Sequence, residues 1–368
     1  MTVERLAIDA TFIRRGGIPG AEHMLRNLVG GLREHGVPVE VLARAGEWDR
    51  AAGVELFEAP RRLDRFAAAS YAAAVRRRSY DAFLGANYFV PPVVTRGRRT
   101  CGVIHDLQHV HYPELFSARK RRWLDLAQGT TLRVADVVVA ISSSVREDLV
   151  SVHGRKWADR IVVIPNPVSW ERFSDGDAPS ASYPYVLAVA AHYPHKNLDT
   201  LVRAFGRLKQ SPGLADLRLV LVGPERAALR SVIGEDRLVQ ALAESPVADR
   251  IVQVGGVDDA TLGAWYRGAS VFVLPSLFEG FGMPAVEAMG FGIPTVTTRC
   301  GALPETTLGL ASYVDDPLDP DELAGLLDSV LRDRERHVPS AETIEKIRGT
   351  YAPSRVAALY LEALGMVA

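Results

Sequence analysis

Cysteine is nearly missing from this chain. There are two, Cys101 and Cys300, far apart and each beside a glycine. Two separated thiols make no disulfide framework and fit a reducing cytoplasm. Long apolar runs are missing too. None approaches the roughly 18 residues a membrane-spanning helix needs, and the stretch from Met1 to Asp9 lacks the apolar region of a signal peptide. There is no low-complexity tract and no short repeat, which excludes fibrous and solenoid architectures. Net charge nearly vanishes, at −1. No nucleic-acid recognition motif accompanies the basic clusters, so nucleic acid is not an expected partner.

What is present is an ordinary globular composition, 48% hydrophobic and 24% charged over 368 residues. That length suits about two domains, each with a full core. The charge is unevenly divided. Residues 1–167 carry 25 Lys+Arg against 18 Asp+Glu, and the remainder carries 18 against 26. A basic half joined to an acidic half suggests different contacts for each. Arg61-Arg62, Arg76-Arg77-Arg78, Arg96-Gly-Arg98-Arg99 and Arg119-Lys120-Arg121-Arg122 supply much of the excess. These runs read either as solvated surface or as a face for an anionic acceptor or a membrane.

The order of elements is alternating strand and helix. Leu6–Ala10 reads as a strand, and Gly16-Gly17-Ile-Pro-Gly20 as a glycine-rich turn. An amphipathic helix follows from about Ala21 to His35, with Gly36 as its cap. The turn lacks a full G-x-G-x-x-G fingerprint. A helix is expected over 67–77, and strands over Asp81–Gly85, Thr100–Asp106 and Ala135–Ile141, with Ser142–Ser144 capping the helix after the third; Ile161 to Val168 closes the first half, with Asn166-Pro167 after its last strand. His105-Asp106 ends a buried strand, where functional groups of open α/β sheets collect. A metal site formed by His105, Asp106, His109 and His111 would need a geometry that such a loop rarely gives. Pro and Asn dominate the stretch after Asn166-Pro167, the best linker.

The alternation then restarts. Strands are expected at Tyr185–Ala190, Leu217–Gly223, Ile251–Gly256, Ser270–Pro275 and Thr295–Thr298, and helices at Leu198–Gln210, around Leu238, and at Asp259–Gly268, Asp321–Arg332, Ala341–Arg348 and Arg355–Leu364. Two such series predict two doubly wound domains, 1–168 and 169–350. The last segment, 351–368, is expected to form a helix packing back on the first domain. Ligands of such sheets bind outside the strand carboxyl ends, so a cleft between the domains would set His105 opposite Lys196, Glu279 and Glu287.

The second half holds the most informative block, Glu279-Gly280-Phe281-Gly282-Met283-Pro284-Ala-Val-Glu287. A strand, a glycine loop and a helix opened by Pro284 make an anion site, because the first-turn N–H groups and the dipole face the loop. Two carboxylates beside a phosphate suit hydroxyl groups instead. Phosphate plus polyol reads as a nucleotide sugar.

This block resembles the Glu-x7-Glu motif of retaining glycosyltransferases of family 4. So do Pro275-Ser276-Leu-Phe, Glu-Ala-Met-Gly-Phe-Gly-Ile-Pro294, Gly301-Ala-Leu-Pro-Glu305, Asn166-Pro167, His195-Lys196-Asn197 and His105-Asp106. The resemblance implies the GT-B fold, α/β with two facing Rossmann-like domains and an interdomain cleft. It implies transfer of a sugar from a nucleoside diphosphate to a hydroxyl acceptor, with same-face attack and the leaving phosphate taking the acceptor's proton. No cofactor and no metal requirement are implied. By the same resemblance, Glu279 contacts donor-sugar hydroxyls, Glu287 the ribose, and Lys196 the diphosphate. Amides of Phe281, Gly282 and Met283 bind the distal phosphate. Gly16 and Gly17 let the first loop approach it, His105 lies by the transferred sugar, and Val254 and Gly255 edge the base pocket. Asn166 falls in the donor-site pattern.

Many members carry an Arg five residues before the lysine; here that place is Ala191, which leaves His192 or His195 as a substitute, or Lys196 acting alone. GDP-mannose leads the candidate donors, a deoxysugar nucleotide is the other, and a glycan or glycolipid, lipid-linked or anionic, leads the acceptors. The expected location is cytoplasmic with a peripheral membrane contact. Rival readings are a silent nucleotide-sugar-binding subunit, a GT-B phosphorylase or epimerase, and a Rossmann oxidoreductase.

Overall fold

The computed structural model describes residues 5–13, 19–48, 54–59, 75, 78–95, 97–173, 181, 183–208, 214–224 and 237–366. The described chain divides into two compact units. One draws on Met1–His111, Ala118–Val168 and Thr350–Ala368, the other on Tyr112–Ser117 and Ser169–Gly349.

The first unit is built on a parallel sheet of β1 (Leu6–Asp9), β2 (Val39–Arg44), β3 (Val54–Ala59), β4 (Ala82–Gly85), β5 (Arg99–Ile104), β6 (Val137–Ala140) and β7 (Ile161–Val163), in the order β3-β2-β1-β4-β5-β6-β7. β4 and most of β1 and β5 are apolar and buried, as strands covered by helices on both faces must be. The helices are α1 (Pro19–Glu34), α2 (Ala118–Val134) and α3 (Ser143–His153). Ser142 caps α3, its hydroxyl accepting from the Val145 amide at 3.2 Å.

The second unit repeats the plan. β8 (Tyr185–Val189), β9 (Arg218–Val222), β10 (Ile251–Gly255), β11 (Val271–Leu274), β12 (Thr295–Thr298) and β13 (Ser312–Val314) form a parallel sheet in the order β10-β9-β8-β11-β12-β13. Its helices are α4 (Leu198–Leu208), α5 (Arg237–Glu244), α6 (Asp259–Gly268), α7 (Met283–Gly290) and α8 (Pro320–Arg332). In both sheets the order reverses beside the central strand, β1 or β8, which is the switch point where this architecture opens a crevice. Leu201, Phe205 and Leu327 pack on one face of the second sheet, and Tyr266, Ala285 and Leu303 on the other.

α9 (Ala341–Tyr351) runs out of the second unit, and α10 (Pro353–Ala363) belongs to the first. A Cβ at Gly31 of α1 would overlap the Pro353 carbonyl, so α1 and α10 touch backbone to backbone. His35 reaches the Ser354 carbonyl at 2.9 Å from the same side.

Several local expectations need correction. The first helix begins at Pro19, two residues early. The last strand of the first half is Ile161–Val163, and Pro165 and Pro167 beyond it offer no N–H to a ladder. The edge strands β3 and β13 are absent from the sequence reading; β13 has only three residues. The helix expected over 67–77 and the linker stretch 174–180 lie outside the described residues, Val75 excepted. Among the described residues, no helix is long and apolar enough to cross a membrane.

Candidate functional site

β11 is buried along its length and ends at Leu274, before Pro275. The chain then runs through Ser276 and Glu279 into α7. Gly282 is the N-cap, with φ +79 and ψ 45, a left-handed conformation that glycine adopts without penalty. A Cβ there would stand 2.5 Å from Leu303 Cδ2. Pro284 is the second helical residue rather than the first, after Met283. It still needs no intrahelical donor, so the first turn is intact.

The neighbouring strand β8 feeds a second loop. It turns through Pro194–Lys196 and ends at Asn197, which has φ 56. Asn197 is fully buried, and its amide donates to the carbonyls of Pro275 (3.1 Å) and Pro317 (2.6 Å) while its oxygen accepts from Thr200 (2.7 Å). The Leu277 amide donates to the His195 carbonyl at 2.8 Å. These bonds lock the two loops together, and the lock delivers Lys196 to Glu279. Lys196 Nζ lies 2.6 Å from Glu279 Oε1, and the Ser276 hydroxyl donates to the same oxygen at 2.7 Å. Behind them, the Ala302 amide donates to the Glu279 carbonyl at 2.9 Å. Gly301 (φ +58) passes so close that a Cβ would overlap that carbonyl.

Glu287, one turn and more along α7, is 2% exposed. Arg172 donates to its Oε1 at 2.6 Å and Tyr266 to its Oε2 at 2.8 Å. The other guanidinium nitrogen of Arg172 binds Asp259. Burial raises the Glu287 carboxyl above its ordinary value, and Arg172 and the Tyr266 hydrogen bond oppose that rise.

The remaining candidates are spread over both units. His195 is buried and stacked on Tyr193 at 5.6 Å; burial, then Lys196, holds its imidazole well below its ordinary value. His192 is buried, with its amide on the Pro224 carbonyl. Val254 and Gly255 (φ +72) end β10, and the Gly255 carbonyl accepts from Gly223 at 2.7 Å. Gly280 and Phe281 line the loop before α7, and the Phe281 carbonyl accepts from Thr306 at 2.7 Å. Asn166, in the first unit, is buried after β7. Gly16 and Gly17 lie outside the described residues.

His105 stands past the end of β5 in the first unit. Its Nε2 meets the Ala86 carbonyl at 2.8 Å, and Tyr88 stands edge-on to its ring at 5.6 Å. Burial lowers its imidazole below the ordinary value, with Ala86 and Asp106 acting the other way. The nearby histidines face different carboxylates, His109 with Asp125 and His111 with Asp148. Among the described residues no group of three metal-ligating side chains converges.

The structure thus brings Lys196, Glu279 and the α7 N-terminus together within one unit, and ties Glu287 into a separate charged network behind them. Sequence reasoning missed Arg172, Tyr266 and Tyr88, and placed Ser276 only within the motif block, without its bond to Glu279. Ser276, three residues before Glu279, was within reach of local spacing. Arg172 was not, since its partner is 115 positions away.

Comparison with known proteins gives these features a family. Residues 18–172 match the model described as Glycosyltransferase Family 4, and residues 183–333 match Glycosyl transferases group 1. O-antigen chain mannosyltransferase B of Escherichia coli is 28% identical over 276 residues, 72% of this chain and 69% of that protein. The chain spans about half the length of other curated relatives it matches. Sucrose-phosphate synthase from Thermosynechococcus elongatus superposes with a TM-score of 0.78 at 20% identity, covering 98% of both chains. HepE of Anabaena, solved in complex with UDP and glucose, gives 0.74 at 18% identity, covering 99% of this chain and 100% of that one. The fold is GT-B. The chain belongs to glycosyltransferase family 4, and it is a glycosyltransferase.

Proposed function

We propose that this protein transfers a hexose from a nucleoside diphosphate sugar to a hydroxyl acceptor, with retention at the anomeric carbon and without a metal. The observation that carries the reading is the Lys196–Glu279 pair, 2.6 Å apart, on locked loops beside the N-terminus of α7. A cation and a helix start beside one carboxylate suit a diphosphate joined to a sugar. In the reaction the anomeric C–O bond to the diphosphate breaks, and a bond to the acceptor oxygen forms on the same face. The acceptor's proton passes to the leaving phosphate oxygen. Lys196 and the amides of Phe281, Gly282 and Met283 stabilise the charge that develops on the diphosphate. Glu279 accepts from sugar hydroxyls and fixes the ring. Glu287 accepts from the ribose, and His105 borders the transferred sugar. Retention through two carboxylates flanking the scissile bond is disfavoured, since Glu287 is engaged with Arg172 and Tyr266.

The E. coli relative is named a mannosyltransferase, which supports GDP-mannose as the first donor to try. HepE was solved with UDP and glucose, which makes UDP-glucose the second. The test is incubation with GDP-, UDP- and dTDP-sugars, with and without EDTA, reading nucleoside diphosphate release. Slow donor hydrolysis that survives EDTA supports the reading. Alanine at 191, where many members place an arginine, favours a second reading, a donor-binding subunit without activity. Donor binding with no hydrolysis or transfer across the panel would establish that instead.

A further inference from the structure

We infer that Arg172 and Tyr266 are positioning residues that hold the Glu287 carboxylate in one fixed orientation, so that the site selects ribonucleotides over 2′-deoxyribonucleotides. The inference rests on the reading of Glu287 as the ribose partner and adds the residues that make that contact selective.

The network is built for one orientation. Arg172 reaches two acids at once, Glu287 through one terminal nitrogen (2.6 Å) and Asp259 through the other. Its plane lies over the Phe173 ring at 4.0 Å, and its side chain is 12% exposed. Tyr266, from α6, takes the second Glu287 oxygen. Behind the carboxylate, the Trp170 indole donates to the Glu287 carbonyl at 3.1 Å. A Cβ at Gly290 would overlap that indole, so the ring lies directly on α7. The carboxylate and the helix that carries it are therefore both held from the Trp170–Phe173 segment.

The chemistry follows from counting acceptor sites. A carboxylate offers about four lone-pair sites. Arg172 and Tyr266 use one on each oxygen, which leaves one on each, the number a 2′,3′-diol can fill. The charged and titratable groups facing Glu287 are Arg172 from the segment before β8, and Tyr266 and Asp259 from α6. Arg172 and the Tyr266 hydrogen bond favour the anion; burial and Asp259 oppose it. An anionic acceptor binds a hydroxyl more strongly than a neutral acid does. A donor lacking the 2′-hydroxyl leaves a buried acceptor unpaired, the situation in which sites reject an analogue most effectively.

The experiment measures affinity of the whole protein for GDP, 2′-deoxy-GDP, UDP, 2′-deoxy-UDP and dTDP by calorimetry at several pH values. The proteins are wild type, Glu287→Gln, Arg172→Gln, Arg172→Lys and Tyr266→Phe. Wild type should prefer the ribonucleotide by about 10- to 100-fold. Tyr266→Phe and Arg172→Gln should reduce that ratio to about threefold or less. Arg172→Gln should also move the loss of binding at low pH to higher pH, and Arg172→Lys should restore part of both. A protein weakened only in packing would lose affinity for both sugars equally and keep its pH profile. Unchanged ratio in Glu287→Gln, or no nucleotide bound by wild type, overturns the reading of Glu287. A ratio lost in Glu287→Gln but kept in both Tyr266→Phe and Arg172→Gln leaves that reading standing and overturns the inference. Equal wild-type affinity for dTDP and the ribonucleotides overturns it as well.

Discussion

Lys196 and Glu279 form an ion pair at 2.6 Å, although 83 residues separate them in sequence. Their side chains are 19% and 9% exposed, and Ser276 binds the same carboxylate oxygen. Removing one partner of such a pair leaves the other's charge buried and uncompensated. Lys196→Met or Glu279→Gln should each cost about 3 kcal/mol, the low end for a buried pair. The double variant should cost less than the sum, measured as a double-mutant cycle by urea denaturation. Activity should behave differently. Lys196→Met should lower kcat roughly 10²- to 10³-fold, and the double variant should not recover it. Recovery of kcat in the double variant would mean that the lysine serves only the carboxylate.

The backbone behind this pair is fixed by glycines for two separate reasons. At Gly282 the obstacle to a side chain is the φ of +79 together with Leu303, whose terminal methyl can shift. At Gly301 the obstacle is the main-chain carbonyl of Glu279, which cannot shift without moving the carboxylate. Gly301→Ala should therefore be the more damaging. It should lower Tm further than Gly282→Ala and weaken nucleotide binding in proportion. Equal losses from the two would show that strain in φ alone sets the cost.

The contrast between those glycines also marks what was legible in the sequence. The alternation of apolar strands and amphipathic helices gave both Rossmann-like sheets, because period and length report burial directly. Glu279, Lys196 and His105 stood out because each follows a strand, and Glu287 through the eight-residue spacing from Glu279 that resembles the family motif. The edge strand β13 did not, as three residues carry no period. Nor did Arg172 or Tyr266. A cation between two acids, or a phenol on a carboxylate, is set by tertiary packing across more than 20 residues, and local spacing has no trace of it.

Burial of three histidines sets a pH dependence of stability. His105, His153 and His195 are all lowered, each chiefly by desolvation. The unfolded chain protonates them near 6.5 while the folded chain resists. Their contribution is full above about pH 6.5 and is lost as pH falls from there through the folded values. Asp9 and Glu287, raised by burial, act in the opposite sense, their contribution growing as pH falls through their raised folded values. Urea melts at pH 7.5 and 5.5 should show lower stability at 5.5. His195→Gln should reduce the difference between the two; an unaltered difference would remove His195 from the account.

The exposed face of α2 carries part of the basic excess of the first half. Arg119, Lys120 and Arg122 are exposed there, beside Trp123 and Leu126 at 44% and 64% exposure. Lys120 lies 4.7 Å over the Trp123 ring. Basic residues around an exposed aromatic suit an anionic bilayer surface, at about 1 kcal/mol per cation. Vesicles with 30% or so phosphatidylserine, a composition rich in anionic lipid, should co-sediment with the protein at low salt. Phosphatidylcholine vesicles should not, and Trp123→Ala with Lys120→Ala should weaken the binding. Equal binding to both vesicle types would point away from charge.

Tyr88 adopts φ 62, a left-handed value that is costly for an aromatic residue. Three contacts hold it there. Its amide donates to the Val103 carbonyl at 2.9 Å, its carbonyl accepts from Thr131 at 2.9 Å, and its hydroxyl donates to Asp106 at 3.0 Å. The ring also stands edge-on to His105. Two substitutions separate these effects. Tyr88→Phe keeps the ring and the backbone and loses only the bond to Asp106, so it should cost about 1 kcal/mol. Asp106 would then retain the Gln108 amide at 3.2 Å as partner. Tyr88→Gly relieves the φ penalty, about 1 kcal/mol or more, and removes the ring. If the ring positions His105, Tyr88→Gly should reduce kcat well beyond Tyr88→Phe even where the two are equally stable. If kcat simply tracks Tm across both variants, the strained tyrosine serves the fold of the β4–β5 region and not the imidazole.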